Sequence, residues 1–77
     1  MGLAMSNVIV KFASDEARQR FIEQAEGTWP ELLSRTYLAK RRPEAIIDHV
    51  SHAEMPRLDD LVQGLGTLYE DIKFETM

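Results

Sequence analysis

The chain has 77 residues, no cysteine and a formal net charge of −4; residues 1–47 carry seven basic and six acidic groups, residues 48–77 two and seven. A chain this short makes one domain that hides only ~60% of the surface its unfolded form exposes, and without cysteine no disulfide or thiolate metal site can supplement the core. The charge is opposite in sign to the footprint of a nucleic-acid binder, and no stretch approaches the ~20 apolar residues of a membrane span. A two-layer domain of this size seldom encloses the cavity an enzyme active site occupies. These totals favour a soluble, cytoplasmic, non-catalytic module without cofactor or metal, whose partner is another protein or a second copy of itself.

Residues 1–6 read as a leader. Met1-Gly2 with Ser6 matches the myristoylation pattern, but no basic cluster follows to give a second membrane signal. Asn7 to Phe12 sets Val8, Val10 and Phe12 against Ile9 and Lys11, and its β-branched content marks a strand. Ser14 stands as an N-cap, with Asp15 and Glu16 in the first turn, where the helix dipole favours negative charge. The helix runs to about Glu26 with Ala17, Phe21 and Gln24 or Ala25 on its buried stripe and Ile22 beside it, and Gly27 suits a left-handed stop. Thr28-Trp29-Pro30-Glu31 is a connector, because Pro30 excludes a helical conformation for Trp29 and cannot donate within a sheet.

Leu32 to Lys40 follows as the second strand, with Leu33, Tyr37 and Ala39 on one side and Leu32, Thr36 and Leu38 on the other. Helix is the competing reading, since Leu, Ala, Arg and Lys favour it and Pro30-Glu31-Leu32 makes a reasonable helix start. Arg41-Arg42-Pro43-Glu44 is the hairpin connection. Ala45 to Ser51 is the third strand, with Ile46, Ile47 and Val50 as its apolar content. Ser51 and Glu54 have capping-box spacing while Pro56 suits a later start, so the second helix begins between Ser51 and Met55. Its stripe is Met55, Leu58, Leu61, Val62 and Leu65; Arg57, Asp59, Asp60 and Gln63 face water. Gly64 and Gly66 end it. Thr67 to Phe74 is the last strand, with Leu68, Ile72 and Phe74 inward and Tyr69, Asp71 and Lys73 outward.

Two strand-helix-strand halves joined by right-handed crossovers place the first and third strands at the centre of the sheet. The expected fold is therefore α+β, a ferredoxin-like βαββαβ sandwich with antiparallel strand order 4-1-3-2, two helices on one face and the other face open. That open face is where function is expected.

Candidate chemistry is sparse. His49 and His52, with Asp48 and Glu54 nearby, straddle a strand end and a cap, where their side chains diverge instead of sharing a metal. Arg35, Lys40, Arg41 and Arg42 form a local basic patch, yet no aromatic residue interleaves its Lys40-Arg41-Arg42 run, and such a cluster serves equally to keep a hairpin tip soluble and guard an edge strand. The stacking aromatics that RNA-recognition modules carry on the first and third strands are replaced here by Val8, Ile9, Val10, Ile46, Ile47 and Val50. Ser14, Ser34 and Ser51 have turn, strand or cap explanations, and no phosphate loop or nucleophile elbow occurs. Trp29 reads as a lid over the end of the first helix.

Two stretches resemble the subtilisin propeptide and proteinase-inhibitor family, whose members are βαββαβ domains of similar length. Val8-Ile9-Val10-Lys11-Phe12, followed by an amphipathic helix and Gly27, is similar to the family's opening strand and helix. Leu58-Asp59-Asp60-Leu61-Val62-Gln63-Gly64-Leu65 with Leu68-Tyr69-Glu70-Asp71 is similar to its last helix and acidic closing strand. The middle third matches in topology alone, and the chain has one glycine after the first helix where the family commonly has a pair. The resemblance implies that the open sheet packs on two parallel helices of a subtilisin-like protease, with Glu70 and Asp71 capping those helices. It further implies that the tail Phe74-Glu75-Thr76-Met77 enters the active cleft, Met77 in the first specificity pocket and Phe74 in the fourth. The competing expectation is a regulatory or assembly module acting as a homodimer or on an unrelated protein.

Overall fold

The computed structural model describes the backbone of residues 5–71 and the side chains of residues 6–69. Strand β1 (Met5–Phe12) alternates as its sequence requires: Val8, Val10 and Phe12 are buried while Lys11 is exposed. The strand starts at Met5, so Met5 and Ser6, which read as the end of a leader, pair with Ser51 and Val50.

Helix α1 (Asp15–Thr28) begins where the cap predicts, the Ser14 hydroxyl accepting from the Ala17 N–H at 3.1 Å. It buries Ala17, Phe21 and Ala25, and the Phe21 ring meets Phe12 of β1 at 5.3 Å between centroids. Of the two candidates for the last position of the stripe, Gln24 stays exposed and Ala25 completes it. The expected stop at Gly27 is corrected: the helix runs through it, and Pro30 ends it by forcing Trp29 out of the helical region, to φ −154° and ψ 64°.

The expected strand over Leu32–Lys40 is also corrected. Pro30–Leu33 forms a single helical turn, α2, with Pro30 in its first turn and Leu32 fully buried, and only Thr36–Leu38 remains as strand β2. The helix-start reading of Pro30-Glu31-Leu32 therefore prevails over the first half of this segment. Thr36 Oγ1 donates to the Leu32 carbonyl at 2.8 Å and joins the turn to the strand.

Strand β3 (Glu44–Ser51) buries Ala45, Ile47 and Val50, a spacing that simple alternation does not allow. A bulge reconciles it. Ser6 pairs with Val50 and Val8 with Ile47, so Asp48 and His49 together oppose Asn7, and His49 takes a left-handed φ of +56°. The extra residue reverses the facing of everything after it and returns Val50 to the core.

Both candidate starts of the second long helix are used. Ser51 and Glu54 make the capping box of a 3₁₀ turn (His52–Glu54), and α3 (Met55–Val62) continues from it with Pro56 in its first turn. Leu58 and Val62 are buried, with Met55, Leu61 and Leu65 packed partly against them. Gly64 turns the chain at φ +82°, and β4 (Gly66–Asp71) returns beside β1.

The domain is thus a small α+β fold with a four-stranded antiparallel sheet in the order β2-β3-β1-β4, which counted from the other edge is 4-1-3-2. The helices bury Val8, Val10, Phe12, Ala45 and Ile47 on one side of that sheet. No helix among the described residues is long and apolar enough to cross a membrane.

Candidate functional site

Partners in an antiparallel ladder share a face, so the pairing registers also define the rows across the uncovered side of the sheet. Tyr37 pairs with Ile46, Ile46 with Ile9, and Ile9 with Tyr69. These four residues, one from each strand, make a continuous apolar row. Tyr37 is 58% exposed, Ile46 43% and Tyr69 48%, and Ile9 between them is half-buried by its neighbours. Single exposed apolar side chains are ordinary on a soluble protein, but a row in register across every strand is a patch. No helix among the described residues covers it.

Polar rows border the patch. On one side Glu44, Lys11 and Thr67 are in register, and the Lys11 ammonium lies 5.2 Å from the Tyr69 ring centroid. On the other side Asn7 lies opposite the bulge, its Oδ1 3.4 Å from the His49 backbone N–H. An apolar centre with a polar rim is the anatomy of a protein-binding surface. The three strand spacings from β2 to β4 span ~14 Å, enough to lie beneath the axes of two packed helices about 8–10 Å apart.

The expected basic patch is not one patch. Arg35 precedes β2, whereas Lys40, Arg41 and Arg42 follow it, and the two sets sit at opposite ends of the β2–β3 ladder. Arg35 is largely covered. It donates to the His49 carbonyl at 2.8 Å, bonds Glu54 at 3.3 Å through both carboxylate oxygens, and reaches Glu31 at 3.3 Å. Its guanidinium carbon lies 5.9 Å from the Trp29 ring centroid. The Glu54 carboxyl is accordingly held below the usual glutamate range, first by Arg35 and then by the Ser51 backbone N–H, against an opposing desolvation cost.

Lys40, Arg41 and Arg42 are placed on the hairpin loop, where Arg41 and Arg42 are exposed. That loop is held by a residue the sequence did not single out: Arg18 of α1 donates through one nitrogen to the carbonyls of Ala39, Arg42 and Glu44 at 2.8–3.0 Å. Trp29 is buried, with the Arg57 guanidinium stacked 4.3 Å from its ring centroid and donating to the Thr28 carbonyl at the end of α1. It is a core residue at a helix junction.

His49 occupies the bulge, while His52 lines a cleft beside α3. Glu70 and Asp71 lie at the end of β4, where the ladder sets them opposite Val8 and Asn7. Phe74 and Met77 lie outside the described residues. The row of Tyr37, Ile46, Ile9 and Tyr69 went unread in the sequence because it exists only once three strand registers are known.

The chain matches no protein-family model, and no curated protein or solved structure is significantly similar to it.

Proposed function

We propose that this ferredoxin-like domain is a non-catalytic binding protein that docks its open sheet on a partner, most concretely on paired helices of a subtilisin-like serine protease that it inhibits. The observation that carries this reading is the apolar row Tyr37-Ile46-Ile9-Tyr69. Its central pair, Ile9 and Ile46, would be the buried anchors, with Lys11, Glu44 and Asn7 as the rim. In this reading the acidic end of β4 caps the partner's helices, through Asp71, which is in register with Asn7 of the open face; Glu70, opposite Val8, falls in register with the helix-covered side. The tail from Phe74 to Met77 would supply the residues that enter the protease cleft.

An inhibition assay against subtilisin-like proteases with micromolar protein tests it. Ile9→Asp, which places a carboxylate at the centre of the face, is expected to weaken inhibition about thirtyfold or more, as for an interface hot spot. Phe74→Ala with deletion of Met77 should weaken it independently. No inhibition by the intact protein would remove the protease as partner. A dimer that persists on dilution and is broken by Ile9→Asp would assign the face to a second copy of the chain.

A further inference from the structure

A second surface, on the helix side of the sheet, has the makings of a peptide site. Strand β4 is an edge: it pairs with β1 on one side, and among the described residues no strand lies on the other. Alternate backbone N–H and C=O groups along Gly66–Asp71 are therefore available to an incoming chain. Beside that edge opens a cleft of about 550 Å³, walled by His52 of the 3₁₀ turn, by Met55, Pro56 and Asp59 of α3, and by Leu68 of β4.

The cleft is apolar at Met55, Pro56 and Leu68, and Asp59 supplies the one carboxylate among these five residues. A strand added beside β4 would run ~4.8 Å from it and turn every second side chain toward the helix layer, the side on which the cleft lies. Backbone pairing would then provide affinity and the cleft selectivity.

We propose that the β4 edge and this cleft bind an extended peptide segment as an added strand, with an apolar side chain in the cleft and a Lys or Arg two positions away facing Asp59. Charge complementarity selects this occupant. Asp59 is exposed, Asp60 follows it, and residues 48–77 hold seven acidic groups against two basic ones. A second copy pairing through its own β4 would offer Gly66 to Asp71, a stretch with two acids and no cation. This site is separate from the open sheet face, and its test does not depend on the protease.

The probe is a short threonine-rich peptide carrying a leucine and, two positions on, a lysine, titrated into the ¹⁵N-labelled full chain. Saturable shifts are expected at β4 and α3 amides, Met55 and Asp59 among them. Replacing the leucine with serine should weaken binding about tenfold, because a largely buried apolar side chain is lost. Replacing the lysine with glutamate should weaken it several-fold. Asp59→Lys, a substitution at an exposed helix position, should reverse that preference so that the glutamate peptide binds more tightly. The proposal is overturned by lack of saturation at millimolar peptide, by shifts centred on Tyr37 and Ile46, or by an unchanged charge preference in Asp59→Lys.

Discussion

Arg35 illustrates how one side chain can join elements that are distant in sequence. It fixes the carbonyl of His49, whose left-handed backbone is costly for a residue with a Cβ, and it neutralises Glu54 in the capping box that starts the turn into α3. Arg35→Met should lower stability by about 2 kcal/mol near neutral pH, the range for hydrogen bonds to charged groups, tempered because both side chains keep some solvent contact. Because the folded-state pKa of Glu54 is lowered, its share of this stability is present above the unfolded value of about 4.5 and is lost as the pH falls through the folded one. The gap between wild type and Arg35→Met in urea-unfolding midpoint is therefore expected to narrow on going from neutral pH to about pH 3. An equally wide gap at both would place the whole contribution in the His49 carbonyl and the Trp29 ring. The sequence made Arg35 look like part of a basic patch because four cations lie within eight positions. The strand between them separates what the sequence groups.

The elements themselves were largely legible. Val8-Val10-Phe12, Ala17-Phe21-Ala25 and Leu58-Val62 bury the faces their periods predict, because a half-buried strand or helix must repeat its apolar residues at its own pitch. The segment after Trp29 is not legible in the same way: it divides into a helical turn and a three-residue strand, each too short for its own period to repeat. Glycines sort by context in a way that sequence position does not reveal. A methyl group at Gly66 would meet the Lys11 carbonyl and lie 2.8 Å from Phe12 Cα, so Gly66→Ala must push β4 off β1 and should cost about 3 kcal/mol. Gly64→Ala forces a side chain into the left-handed region and should cost about 1 kcal/mol. Gly27 lies inside α1 with open space around it, so Gly27→Ala should stabilise by about 0.5–1 kcal/mol. Thermal melts of the three variants test this order, and a destabilised Gly27→Ala would restore the helix stop to that position.

For the molecule as a whole, Trp29 links α1, α2 and α3 and is a built-in probe of their packing. It is the one tryptophan of the chain, and it is buried with its ring under Arg57. A domain this small with one contiguous core is expected to unfold in a single step. Trp29 fluorescence and far-ultraviolet circular dichroism should then give coincident urea transitions, with a slope of ~1 kcal/mol per molar. A fluorescence transition at lower urea would mean that the corner around Trp29 opens as a separate unit.

By itself the sequence determined the number and order of the strands and long helices, the inward face of most of them, and the concentration of acidic groups in the second half. Those follow from local periodicity and composition, which the chain carries residue by residue. The tertiary structure alone decided the bulge that returns Val50 to the core, the separation of Arg35 from the hairpin cations, the clasp of Arg18 on the loop, and the apolar row across four strands. Each of these depends on registers and contacts between segments far apart in the chain, and a one-residue slip in any register would have turned the row to the other face.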